Sequence, residues 1–435
     1  MREIRTLGSA EGVPGNRRLY SNMESVRSGL CEPRATTWGI IPASHGPGNA
    51  IGGGHLGSPG VESPRLPITA GGSDEMSDAG AAMPPPLDRR RVQQFARALF
   101  GHYTSGILTM MVQIGHETGL FEALAQAPGT SAELAARAGL SERYVREWLG
   151  AVTTGGIAEY DAASGTYRLP PEHAVCLTGS SPRNLAPRST SLPMLAKRLT
   201  GVIDAFRRGG GVPYSAFRPD FTEATDAGWR LLYDGMLITS FLPLAGDVAA
   251  RLAEGISAAD VGCGTGHAVN VMARAFPRST FVGYDIGEDA IERARAEARA
   301  MGLENARFEV LDAAALPAEP RHDLITSFDA IHDQRDPAGA LSAIARALAP
   351  GGAYLMMEPR ASSRLEDNIG NPIAPYMYGV SVLHCMTVSL AEGGAGLGTC
   401  WGEQTARRML ADAGFTSVEV REVPATQNSL FVCRR

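Results

Sequence analysis

Ala258-Ala259-Asp260-Val261-Gly262-Cys263-Gly264-Thr265-Gly266 runs from a short strand into a glycine-rich turn, and His267-Ala268-Val269 opens a helix directly behind it. Glycines at alternate positions allow a tight turn and a close approach of backbone to ligand. The N–H groups at the start of the following helix favour a polar or anionic group. Downstream the pattern repeats. Phe281-Val282-Gly283-Tyr284-Asp285 and Ala306-Arg307-Phe308-Glu309-Val310-Leu311-Asp312-Ala313 each read as a strand reaching an acid, and Leu324-Ile325-Thr326-Ser327-Phe328-Asp329 is another. A helix at Asp336-Pro337 and a Pro350-Gly351-Gly352 turn then lead into a strand from Ala353 to Glu358. Strands alternating with helices predict an α/β fold built on a doubly wound, Rossmann-like sheet.

The glycine spacing separates two cofactor classes. In the dinucleotide fingerprint G-x-G-x-x-G the last glycine would fall on His267, whereas here it arrives one residue earlier, at Gly266. The acid-led G-x-G-x-G run resembles motif I of the class I S-adenosylmethionine (SAM) dependent methyltransferases. That resemblance implies SAM as cofactor, bound by Asp260, Gly262, Cys263, Gly264, Gly266, Asp285, Ile286, Asp312, Ala313 and Phe328. In the family, the acid here numbered Asp285, 19 residues past Gly266, accepts from both ribose hydroxyls. Asp312 accepts from the adenine amino group, and the Ala313 N–H reaches the ring. A helix cap is the alternative role for Asp285.

Ahead of this region, Thr130-Ser131-Ala132-Glu133 has the spacing of a capping box. The helix it starts stops at Gly139. A second helix begins at Ser141, and a hairpin turns over Asp161 to Gly165. Helix, turn, helix and hairpin predict a winged helix, preceded by apolar residues at helical spacing from Val92 to Leu124. Residues 89–178 are therefore read as an α-rich winged-helix dimerisation domain, 179–240 as a helical connection and substrate lid, and 241–435 as the SAM-binding domain. A winged helix can also read DNA. Here Glu142 and Glu147 cancel Arg143 and Arg146 on the candidate recognition helix, and phosphate contacts need a basic surplus, so no nucleic-acid partner is expected. Aromatic residues concentrate in the connection, among them Phe206, Tyr214, Phe217, Phe221, Trp229 and Tyr233, as core or as the wall of a substrate site. Residues 1–88 hold 15 glycines and 10 prolines with no hydrophobic period, which predicts a disordered tail. A start at Met76 or Met83 is the other reading of that stretch.

The run from Glu142 to Leu149, the pair His332-Asp333 and the late segment Asn371-Pro372, Tyr378, Ser381, His384-Cys385-Met386 and Gly396-Leu397-Gly398-Thr399 resemble a bacterial group of winged-helix methyltransferases of unassigned substrate. His332-Asp333 also matches the His-Asp pair of the plant-type phenolic O-methyltransferases. That likeness implies His332 as general base, with Asp333 beside it. Histidine titrates near neutrality, which suits proton removal. Neighbours on a helix face apart, so Asp329 or Glu358 is the better candidate to orient the ring. His384 and Tyr233 are the candidate substrate contacts. Gln334-Arg335 stands where the plant-type enzymes carry a tryptophan.

Composition narrows the field. The net charge is -6 and Lys197 is the only lysine among 435 residues, which leaves Schiff-base chemistry a single residue and rules out a G-K-[ST] phosphate loop. The six cysteines form no C-x-x-C pair, so no metal site is expected, and a reducing, cytoplasmic setting is. No apolar run reaches the length of a membrane span. The expectation is methyl transfer from SAM to a small molecule, with an oxygen acceptor deprotonated by His332, in a homodimer. A SAM- or metabolite-sensing transcriptional regulator is the alternative, and an NAD(P)-dependent oxidoreductase is a further competitor.

Overall fold

Asp88 caps a long helix, its carboxylate accepting from the backbone N–H groups of Arg90 and Arg91. The computed structural model describes residues 87–319 and 321–435. Most of the expected disordered tail, residues 1–86, lies outside the described residues.

Helix α1 (Arg89–Glu117) is followed by α2 (Leu120–Gln126), α3 (Ser131–Ala138) and α4 (Glu142–Thr154). The apolar periodicity from Val92 to Leu124 is thus two helices. The chain breaks at Gly119, whose φ of 70° is left-handed and ends the first run. Thr130 and Glu133 form both halves of the expected capping box. The wing is β1 (Glu159–Asp161) paired antiparallel with β2 (Thr166–Arg168). Phe121, Leu134, Trp148 and Leu149 form the core of this region. Gly115 is what lets α1 approach it: a Cβ there would lie 2.5 Å from the Phe121 ring and 2.6 Å from that of Trp148.

Short helices α5 (Pro171–Leu177), α6 (Ser191–Ala196) and α7 (Leu199–Arg208) lead to α8 (Asp220–Leu232), which runs on as a π-helical stretch, Tyr233–Phe241. After α9 (Val248–Glu254) comes the alternating region: β3 (Ser257–Val261), α10 (His267–Ala275), β4 (Thr280–Asp285), α11 (Glu288–Ala300), β5 (Ala306–Val310), β6 (His322–Phe328), α12 (Pro337–Ala347) and β7 (Leu348–Pro359). Strand β7 starts earlier than the Pro-Gly-Gly turn suggested. Leu348 already pairs with His322, and a register shift between His322 and Leu324 absorbs the turn residues. Helices α13 (Leu365–Asn368), α14 (Ala374–Val380), α15 (Met386–Ala391) and α16 (Gly402–Asp412) precede β8 (Ser417–Glu422) and β9 (Asn428–Arg434).

The seven-stranded sheet has the order β5-β4-β3-β6-β7-β9-β8. Strands β3 to β7 are parallel, and β9 runs antiparallel between β7 and β8. Each face carries a core: Val269, Met272, Ile291 and Leu324 on one, Val261, Ile325, Leu341 and Ile344 on the other. The strand order reverses between β3 and β6, where open α/β sheets bind ligands at their carboxyl edge.

Candidate active site

The loop from β3 to α10 crosses that edge. Gly262, Gly264 and Gly266 have φ values of 75°, 53° and 73°, a region costly for any residue with a side chain. Packing fixes two of them. A Cβ at Gly262 would sit 2.6 Å from that of Ala330, and one at Gly266 2.5 Å from both Ala294 and Phe308. Gly264 instead faces open space, with nothing within 4 Å of a Cβ. Asp285, at the end of β4, clamps the loop: one carboxylate oxygen accepts from the Gly264 N–H at 2.9 Å and the other from Gly287 at 2.8 Å. A carboxylate has about four acceptor positions, so capacity remains for a diol. Burial pushes the Asp285 pKa up, against those two backbone donors and Arg218. Asp312 accepts from Ala314 N–H at 2.9 Å and lies 3.6 Å from the Arg335 guanidinium.

Of the residues expected to hold the cofactor, Gly262, Cys263, Asp285, Ile286, Asp312 and Phe328 line one cavity of about 270 Å³, together with Tyr233, His332, Asp333 and His384. Gly264 and Gly266 shape the loop, and Ala313 is buried beside Asp312. Asp260 lies behind the wall, where its carboxylate accepts from Thr326 Oγ1 at 2.6 Å and burial pushes its pKa up to about 7.

His332 lies in the turn Ile331–Asp333, just past β6. Glu358, one residue from the end of the adjacent β7, holds it. One carboxylate oxygen of Glu358 accepts from Ile331 N–H at 2.9 Å; the other lies 2.5 Å from His332 Nδ1 and accepts from Trp401 Nε1 at 3.2 Å. Of the two expected orienting acids, the geometry therefore selects Glu358. Asp333 also comes within 3.1 Å of His332 Nε2, because this segment is a tight 3-10 turn rather than the α-helix in which neighbours face apart. Burial opposes charge on the imidazole, yet Glu358 and Asp333 raise its pKa well above 6.5. His332, Asp333 and Cys385, and separately Asp329, His332 and Glu358, bring potential ligand atoms within 4.8 Å of one another. Both sets are parts of this cluster.

His384 is in the π-helical stretch Ser381–Cys385. Its ring lies 4.1 Å from Phe221 and 4.7 Å from Phe217 between centroids, and burial lowers its pKa to about 4. Nδ1 lies 3.6 Å from Asp333, and Nε2 is buried without a partner. Tyr233 stacks on Trp229 at 5.5 Å and tilts against Phe328 at 5.6 Å.

One network gave no signal in the sequence. Asp226 of α8 accepts from Thr265 Oγ1 at 2.6 Å and binds Arg230, which also reaches Glu297 of α11 at 2.5 Å. His267 sits between Glu297 and Asp234, at 2.9 and 3.1 Å. This ties α8 to the glycine loop and α10. A second cavity, about 190 Å³, shares Phe221, Trp229, Asp329, His332 and Cys385 with the first, so His332 stands where the two meet.

Residues 252–414 match the family described as methyltransferase domain, and residues 106–179 match the Rv2258c-like winged HTH domain. The chain carries a winged-helix domain and a methyltransferase domain. The methyltransferase domain is similar to trans-aconitate 2-methyltransferase of Methylobacterium nodulans, 30% identical over 130 residues, covering 29% of this chain and 46% of that one. It is also similar to the ubiquinone biosynthesis O-methyltransferase of Alkalilimnicola ehrlichii, 37% identical over 100 residues, covering 23% and 40%. The chain spans less than half the length of these curated relatives. Among solved structures, human N-acetylserotonin methyltransferase in complex with SAM aligns with a TM-score of 0.59 at 19% identity, covering 81% of this chain and 99% of that one. An O-methyltransferase family protein from Burkholderia thailandensis gives 0.56 at 18%, covering 78% and 98%. These structural likenesses establish the fold. The expected winged-helix and methyltransferase architecture is borne out by the family matches and by the sheet order.

Proposed function

We propose that the chain is a SAM-dependent methyltransferase acting on an oxygen of a small-molecule acceptor, with His332 as general base. The observation that carries this reading is the Glu358–His332 pair at the junction of two cavities, one of them walled by the glycine loop, Asp285 and Asp312. The cradle fits SAM. Gly264 leaves open space, Asp285 keeps lone pairs for two hydroxyls, and Ile286 and Phe328 supply apolar wall, with Asp312 and Ala313 at the adenine end. When bound, SAM supplies a methyl group already activated by its sulfonium.

The protein's own part is alignment and proton removal. His332 Nε2 takes the acceptor's proton, while Glu358 holds the other ring nitrogen and stabilises the imidazolium. Asp333 adds a second carboxylate. Helix α8, tied to the loop through Asp226, covers the site and excludes water, and Tyr233 and His384 contact the acceptor. Two curated relatives are named O-methyltransferases, one of ubiquinone biosynthesis in Alkalilimnicola ehrlichii and a fatty-acid O-methyltransferase of Mycolicibacterium smegmatis, which supports an oxygen acceptor.

The winged helix serves dimerisation in this reading. Phe95, Phe100, Tyr103 and Ile107 form an exposed apolar stripe on α1. On α4 the cations are matched by its own acids, Arg143 with Glu147 and Arg146 with Glu142, which disfavours the regulator. The free thiols of Cys176, Cys263, Cys385, Cys400 and Cys433 suit a cytoplasmic setting. No single helix among the described residues is long and apolar enough to cross a membrane.

His332→Ala should lower turnover by about 100-fold or more, followed as S-adenosylhomocysteine released, with SAM affinity near wild type. Wild-type turnover in that variant would overturn the role of the base.

A further inference from the structure

The second cavity has a polarity that the methyl-transfer reading does not use. Its walls are largely apolar, with Leu195, Ile373 and Met377 among them. One buried hydrogen-bond donor on its wall lacks a partner, and a cation lines it as well. Asn428, at the start of β9, is 8% exposed and its Nδ2 is buried with no acceptor. Arg188, a solvent-exposed residue, also lines the cavity, and its positive charge acts on the buried Asp329 carboxylate. The acidic group on this wall is Asp329, close to His332, with one carboxylate oxygen buried and unpartnered. The cavity is therefore acidic at the reacting side and rich in donors elsewhere. An unpaired buried donor is costly unless a ligand supplies the acceptor.

We propose that this cavity is the acceptor pocket and that it selects an anionic acceptor: a single apolar ring or short chain bearing a carboxylate bound by Arg188 and Asn428, with a separate hydroxyl turned to His332. This rests on the methyl-transfer reading and adds the substrate class. The size agrees. A cavity of about 150 Å³ admits benzene, and this one measures about 190 Å³. Charge chooses the carboxylate's position, since a guanidinium takes a carboxylate through two parallel hydrogen bonds while Asp329 would repel it.

The test is calorimetric and needs no turnover. The full chain, saturated with S-adenosylhomocysteine, is titrated with 4-hydroxybenzoate and with 4-hydroxybenzamide, which has the same shape without the charge. The acid should bind at least about 10-fold more tightly than the amide. Arg188→Gln should remove that preference, leaving amide affinity unchanged, and Arg188→Lys should restore part of it. Asn428→Ala should weaken both ligands. Equal binding of acid and amide, no binding of either, or an Arg188→Gln variant that still prefers the acid would overturn the proposal. Failure of S-adenosylhomocysteine to bind would instead overturn the methyl-transfer reading.

Discussion

His332 has a carboxylate beside each ring nitrogen, and both favour its protonated form. Glu358 and Asp333 raise its pKa well above 6.5 despite burial, so the imidazolium persists to higher pH than in a free histidine and the free base grows as pH rises. The rate should therefore climb along a limb lying above pH 6.5. Glu358→Gln removes the largest attraction and should move that limb down by about 1 to 3 pH units, with a lower plateau. A pH profile of kcat/KM unmoved by this substitution would contradict the pairing. The carboxylates of Asp285 and Asp312 were legible in the sequence because each ends a recognisable strand. Glu358 was one of two candidates, and only the pairing of β6 with β7 separated them. Arg188 and Asn428 gave no signal, since folding brings them to the second cavity from distant segments.

Between elements, α8 and the glycine loop are joined by the Thr265–Asp226 hydrogen bond and by Arg230 with Glu297. Ordering the loop around a ligand should order α8 as well. Asp226→Asn keeps the size but weakens the link to Arg230. It should raise the acceptor KM several-fold, by roughly 1 kcal/mol, and increase amide hydrogen exchange in residues 220–241. Unchanged exchange there would show that α8 is held by its apolar contacts alone. Strands and capped helices could be read locally, as the Thr130 and Glu133 box was. The network could not, because Thr265 occupies a motif position that admits any residue, and its partner sits on a helix whose packing no local pattern specifies.

At the scale of the molecule, the apolar stripe of α1 should be the dimer contact. Phe100→Glu, at a side chain 70% exposed, should shift the sedimentation coefficient from dimer to monomer while preserving helicity. A monomeric wild type would contradict the homodimer. The doubly wound sheet and the winged helix followed from alternating strand and helix patterns and from the glycine and acid motifs, whereas the strand order β5-β4-β3-β6-β7-β9-β8 did not, and the helix from Asp220 runs on through Phe241 as a π-helical stretch. The carboxyl edge of this sheet is the SAM site. Calorimetric titration of SAM into the intact chain and into Asp285→Ala tests it most directly. Saturable one-to-one binding to the wild type, lost in a variant whose circular dichroism is unchanged, is the predicted result. A wild type that takes up no SAM, or a variant that binds it equally well, would overturn SAM binding at this edge.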